Sequence, residues 1–250
     1  MKTIDPQLES DRIIAFLQKT FSGTGKKKAI MNWSGGIDST VSLYLLTKAL
    51  GPQSITILHL PYETSYADEF LPIFDYLQFK NTQLHIVSIK PMVESIQSTL
   101  KIGDPFRLGN IMARLRMITA FDYAKKLNAL VCGTENKTEE LLGYFTRFGD
   151  EASDIEPIAH LYKTHIFQLG EYLRIPNNIL EAQPTAGLWS GQTDEGEFGF
   201  SYKEADEVLW RYYDEKKTED QIIKDGFTNA KKIIEFAKKN AFKHETPYKI

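Results

Sequence analysis

The densest chemistry in this 250-residue sequence lies in Asn32-Trp33-Ser34-Gly35-Gly36-Ile37-Asp38-Ser39. Two glycines let a backbone pass close to a ligand, and the free amides at the start of a following helix aim partial positive charge at it. Such a turn holds anions. Ser34 and Ser39 add hydroxyl donors, whereas Asp38 would repel a phosphate unless a metal cation joined the two. The stretch therefore reads as a cradle for a magnesium-bound nucleotide, although a glycine pair after a strand can also be a plain structural turn. A second dense stretch, from Gly133 to Asp150, crowds glycines, hydroxyls and acids together. Read locally, it is a capped helix start, with Thr134 or Asn136 as the cap and glutamates in the first turn.

Both stretches need elements to place them. Lys28–Trp33 has the apolar run of a buried strand, and Thr40–Leu50 carries helical spacing closed by Gly51-Pro52. The first cradle is thus a strand-to-helix turn. Residues 5–21 form an amphipathic helix with Ile13, Ile14, Leu17 and Phe21 inward. Further strands are expected at Ser54–Pro61, Gln83–Ile89 and Ala129–Cys132. Helices are expected at Ala67–Gln78, where Pro72 can break or kink the turn, from Pro91 onward, and at Asn110–Asn128 with Ile111, Leu115, Ile118 and Phe121 on its core face. Strands alternating with helices imply a doubly wound parallel sheet with helices on both faces. In such a sheet ligands gather at the carboxyl ends of the strands, so the stretch after the fourth strand should face the same crevice as the first cradle. Gly191–Gly199 reads as a mobile lid or a plain surface loop, and the Lys-rich end of the chain as helical.

Composition narrows the classes. A net charge of -3 argues against a broad basic surface for nucleic acid, so positive charge for a polyanion must be focused in a pocket. No apolar run reaches the length of a membrane span and no signal-peptide pattern opens the sequence, which gives the expectation of a cytoplasmic protein. The single cysteine, Cys132, sits in an apolar run and reads as core. No repeat or long linker divides the chain, so residues 1–250 are expected to form one domain. His59 and His85 read as core or strand-end histidines, and no His/Cys cluster has zinc spacing.

Ser34-Gly35-Gly36-x-Asp38-Ser39 resembles the pyrophosphate loop of the ATP pyrophosphatases, which split ATP between its α and β phosphates. Gly109-Asn110-Ile111-Met112-Ala113-Arg114-Leu115-Arg116-Met117, the Gly-Thr-x-x-x-x-Glu run from Gly133 and the Gly-Tyr-x-Thr-x-x-Gly-Asp run ending at Asp150 are similar to bacterial NAD synthetases. Ala152–Ile158, Leu161–Thr164 and Pro184–Trp189 continue the likeness, which spans about Asn32 to Pro247. It implies an adenine nucleotide alpha hydrolase-like fold, a homodimer, and ATP-dependent amidation of deamido-NAD by ammonia. Matched motif by motif, residues 32–39, that is Asn32, Trp33, Ser34, Gly35, Gly36, Ile37, Asp38 and Ser39, would hold the ATP phosphates, with Thr134, Lys163 and Thr185 as further ATP contacts. Asp38 and Glu139 would hold Mg²⁺, while Arg114, Arg147, Asp154 and Lys243 would meet deamido-NAD. Lys163 would stabilise charge growing on the phosphates, and Asp150, closing its motif, is assigned to binding ammonium or taking its proton. The family's C-terminal His-Lys-Arg is here Phe242-Lys243-His244, a departure at the substrate corner.

The implied chemistry is adenylation of a carboxylate, releasing pyrophosphate, followed by displacement of AMP by ammonia. Activation is needed because a carboxylate repels nucleophiles and its oxygen leaves badly. No stretch of this chain supplies a glutaminase nucleophile, so free ammonia is the expected donor. Two other classes stay open: a different pyrophosphatase-loop ligase, such as a tRNA-modifying enzyme, and a non-catalytic adenine-nucleotide sensor.

Overall fold

The computed structural model describes residues 1–63, 71–80, 83–185, 187 and 191–249. In chain order, α1 (Pro6–Thr24) leads to β1 (Ala29–Asn32), α2 (Ile37–Leu50), β2 (Ile55–His59), α3 (Leu71–Tyr76) and β3 (Leu84–Ile86). Next come α4 (Lys90–Leu100), α5 (Pro105–Leu127), β4 (Leu130–Cys132), α6 (Lys137–Leu142) and α7 (Lys163–Tyr172). The chain closes with α8 (Asn177–Leu180), α9 (Asp194–Phe198), α10 (Tyr202–Leu209), α11 (Glu219–Lys224) and α12 (Ala230–Asn240).

The four strands form one parallel sheet in the order β3-β2-β1-β4. Alternation along β1 divides its side chains between the two faces: Ala29, Met31 and Trp33 enter a core with α1, α2 and α7, while Ile30 enters a core with α4 and α5. Because the path from β3 returns through α4 and α5 to the far side of β1, the sheet has its switch point between β1 and β4. The crevice at their carboxyl ends is where a doubly wound sheet places ligands. A third apolar cluster unites α10, α11 and α12 with Leu142, Tyr162 and Phe198.

Several expectations shift. The long helix starts at Pro105, capped by the Asp104 carboxylate accepting from Phe106 N, rather than at Asn110. Its inward face is Gly109, Met112, Ala113, Leu115, Ala120 and Ala124, with Ile111 and Phe121 packed against the same core; of the expected core face only Ile118, 55% exposed, lies off it. Pro72 lies within α3 as far as it is described, and residues 67–70 of that expected helix lie outside the described residues. The expected lid is part helix: Thr193 caps α9, and Asp194 and Phe198 are buried. Cys132 is buried, as its apolar run implies.

Candidate active site

The cradle takes its shape from β1 and α2. Gly35 has φ +86°, a conformation open to glycine but costly for other residues, and Gly36 caps α2 without a side chain. Ser39 Oγ and Thr40 Oγ1 donate to Gly36 O at 3.0 and 2.9 Å, and Ser34 Oγ lies 3.1 Å from Ser39 Oγ. These bonds fix the bend and leave the first-turn amides of α2 pointing outward. Trp33 is buried; its Nε1 donates to Thr40 Oγ1 and its backbone N to Leu58 O, so this residue builds the cradle from behind. Ile37 is likewise buried, which leaves only its backbone for a ligand. Asn32 Oδ1 is buried with no hydrogen-bond partner.

Beneath the cradle, three residues far apart in sequence converge. Lys163, the first residue of α7 and 2% exposed, places Nζ 2.6 Å from Asp38 Oδ2 and 3.1 Å from Glu139 Oε1. Asn136, the cap of α6, accepts from Glu139 N and donates Nδ2–H to Asp38 Oδ1 at 2.9 Å. Tyr202 of α10 offers its ring to the Lys163 ammonium at 4.8 Å and its hydroxyl to Asp194 at 2.8 Å, with Glu139 3.3 Å away. Burial pulls the Lys163 ammonium downward, but Asp38 and Glu139 outweigh it and hold the group above its ordinary range. Burial pushes Glu139 upward, against the pull of Lys163, while Asp38 and Asp194 raise it further.

A divalent cation fits this donor set. Among the described residues no group of three or more His, Cys, Asp or Glu is arranged to hold an ion alone. Asp38 and Glu139, however, both reach one positive centre, and a pair of carboxylates completed by phosphate oxygens suits Mg²⁺.

The loop after β4 flanks the cluster. Gly133 leaves room there for the Glu156 carboxylate: a Cβ would lie 1.8 Å from Glu156 Oε1 and displace it. Glu156 accepts from Ser153 Oγ at 2.7 Å and from Glu135 N at 3.0 Å, and burial raises it to about 7. Glu135, with its Oε1 buried and unpartnered, is raised to about 10 by burial and by neighbouring carboxylates. Asp150 is open to solvent and accepts from Thr146 N at 2.9 Å; packing around its carboxyl raises it, and the Thr146 bond and the Lys243 charge oppose this.

The residues matched to deamido-NAD sit differently. Arg114 is exposed and its Nε donates to Arg147 O at 3.3 Å, while the Arg147 guanidinium lies 5.2 Å from the Phe242 ring. Lys243 Nζ donates to the carbonyls of Gly143 and Phe145 at 2.6 and 2.8 Å, which ties the chain end to the loop after α6. Asp154 Oδ2 accepts from Val131 N at 2.8 Å on the edge of β4. Thr134 lies partly buried after β4, and Thr185 is exposed, its hydroxyl accepting from Gly187 N. The structure thus joins Asp38, Glu139 and Lys163 directly, and leaves Thr185 outside that cluster.

The model of the NAD synthase family covers residues 9–247. The chain belongs to that family. It is 39% identical to the NH(3)-dependent NAD(+) synthetase of Fusobacterium nucleatum over 99% of this chain and 97% of that one. Among solved structures, the NMN synthetase of Francisella tularensis is similar at 33% identity and a TM-score of 0.84, covering 99% of both chains. The NH3-dependent NAD synthetase of Campylobacter jejuni shares 27% identity at a TM-score of 0.82, with 99% of this chain and 100% of that chain covered.

Sequence reasoning missed Asn136 as a donor to Asp38, and also Tyr202, Asp194 and Asp206. Asp206 had a readable signal: it stands among Tyr202, Ala205, Val208 and Leu209 on the buried stripe of an amphipathic helix, where an acid demands partners.

Proposed function

We propose that this chain amidates deamido-NAD with ammonia, converting ATP to AMP and pyrophosphate and yielding NAD. The observation that carries the reading is the convergence of Lys163, Asp38 and Glu139 beneath the glycine cradle, together with the family membership. ATP lies with its phosphates on the α2 amides, Ser34 and Ser39. Asp38 and Glu139 hold Mg²⁺, which supplies charge neutralisation of the phosphates when bound. The nicotinate carboxylate attacks the α-phosphorus, the bond to the β-phosphate oxygen breaks, and pyrophosphate leaves with the electron pair. Lys163 offsets the negative charge that builds in this step. Ammonia then attacks the acyl carbon, AMP leaves, and Asp150 takes the proton that the new amide nitrogen sheds.

Thr134 and Thr185 serve the nucleotide, and Arg114, Arg147, Asp154 and Lys243 the acid substrate. For the last two the proposal requires rearrangement on binding, since Lys243 and Asp154 bond backbone groups here. Residues 1–250 act as one domain, in a cytoplasmic homodimer. Among the described residues no helix is long and apolar enough to cross a membrane.

A mixture of the purified chain, ATP, Mg²⁺, deamido-NAD and ammonium tests the reading: NAD, AMP and pyrophosphate should appear in equal amounts. ATP binding with no pyrophosphate would make the chain a nucleotide sensor instead. A second reading keeps the chemistry but shortens the substrate to the mononucleotide acid. It is favoured by the likeness to the Francisella structure, an NMN synthetase. The ratio of kcat/KM for the two acids decides between them.

A further inference from the structure

One buried carboxylate joins the two segments that carry the charged cluster. Asp206 of α10 is 0% exposed. Its Oδ1 accepts from Thr138 Oγ1 at 2.5 Å, and its Oδ2 accepts from both Thr164 N and Thr164 Oγ1 at 2.7 Å. Thr138 directly precedes Glu139, and Thr164 directly follows Lys163. The Thr138 hydroxyl, having given its proton to Asp206, accepts from Lys163 N at 2.9 Å.

The bonds therefore run one way, from Lys163 N–H through the Thr138 hydroxyl into Asp206, which also receives Thr164. The carboxylate accepts on both oxygens; an amide offers one oxygen, so its nitrogen would make the Thr138 hydroxyl accept twice and turn its own proton away, breaking the one-way run. Burying a carboxylate is expensive, and an apolar side chain would fill the same space at lower cost. What an apolar residue could not do is hold the start of α6 and the start of α7 at one spacing. Tyr202, one turn earlier on α10, touches the side-chain end of the same cluster, so a single helix sets both its backbone and its tips.

We propose that Asp206 is a positioning residue, setting the distance between Lys163 and Glu139 and so the alignment of both on the phosphates. The inference rests on the adenylation reading above. The test isolates that half-reaction by following ATP–pyrophosphate exchange with deamido-NAD and no ammonium, alongside the KM for ammonium and the unfolding curve. With assays run where circular dichroism shows folded protein, Asp206→Asn and Thr138→Val should slow exchange between about 10-fold and 100-fold, as small misplacements do. Thr138→Ser, which restores the hydroxyl, should recover to within about threefold of wild type, and the KM for ammonium should stay unchanged throughout.

Normal exchange in folded Asp206→Asn and Thr138→Val would overturn the proposal. So would a Thr138→Ser variant as slow as Thr138→Val, or a KM for ammonium that rises in step with the loss of exchange. If Asp206→Asn does not fold, the Thr138→Val and Thr138→Ser pair decides alone. Absent exchange in the wild type would overturn the adenylation reading itself, whereas normal wild-type exchange with unaffected variants overturns only the positioning role.

Discussion

At the nucleotide corner Lys163 is 2% exposed and bonded to two carboxylates, Asn136 links one carboxylate to the cap of α6, and Asp206 secures the backbone behind them. At the acceptor corner Arg114 and Phe242 are exposed, Arg147 lies against Phe242, and Lys243 spends its charge on two carbonyls. The first corner is already bonded together; under the proposed reading the second is a surface whose cations turn toward the acid substrate. Preorganised charge stabilises a transition state because nothing has to reorganise during the reaction. An open corner contributes mainly to holding the substrate. The contrast predicts that damage at the first corner lowers turnover, and damage at the second raises KM.

The largest effect should come from Lys163→Met, which removes the cation and leaves Asp38 and Glu139 facing each other. Pyrophosphate release should fall by about 10²–10³-fold, with the KM for ammonium unchanged. Asp150→Asn comes next: at saturating ammonium, turnover should fall about 10²-fold while adenylation, read as pyrophosphate exchange, stays normal. Unaltered turnover across pH would remove Asp150 from the mechanism. Arg147→Ala should raise the KM for deamido-NAD by about tenfold, or roughly 1.4 kcal/mol, at constant kcat. If it instead matched Lys163→Met in kcat, the distinction between the corners would collapse.

The smallest catalytic effect is expected of Glu156→Gln, whose signature is in stability. Glu156 is raised from 4.5 to about 7 in the folded protein. The folded state then binds more protons than the unfolded one between these values, so its contribution is present below about 4.5 and is lost as pH rises through about 7. Glutamine keeps an acceptor for Glu135 N and a group for Ser153, without the charge. Relative to wild type, the variant should gain up to about 3 kcal/mol by pH 8 and little at pH 4.5, at about 1.4 kcal/mol per pKa unit. Thermal unfolding at both pH values measures it; an equal difference at the two would refute the buried-carboxyl explanation.

Much of this was legible in the sequence. The alternation of strands and helices gives the parallel sheet, and the family resemblance, not the residues alone, assigns Asp38, Glu139 and Lys163 to one site although 125 positions separate the first from the last. The side-chain bookkeeping of the interior was not legible. Asn136 is readable as a cap of α6, but that it also serves Asp38 depends on how α2 and α6 approach each other, which local pattern does not encode. Ile118 is the exception on α5. Leu115 is buried and Ile111 and Phe121 pack against the core as read, but the inward face runs through Met112, Leu115, Ala120 and Ala124, and Ile118 lies off it. The segment from Thr193 to Gly199 reads as a lid or loop because its glycines, Thr193 and Asp194 are poor helix formers, yet Phe198 anchors it in an aromatic cluster with Tyr144, Phe200 and Tyr202.

The Asp154 segment closes the free side of β4. Its carboxylate receives Val131 N, its own amide donates to Val131 O, and Ile155 bridges Cys132. A bare strand margin invites pairing with another molecule, and here a loop of the same chain already fills that seat. The residue matched to the dinucleotide thus doubles as a guard on solubility: replacing Asp154 should be followed by light scattering as well as by turnover.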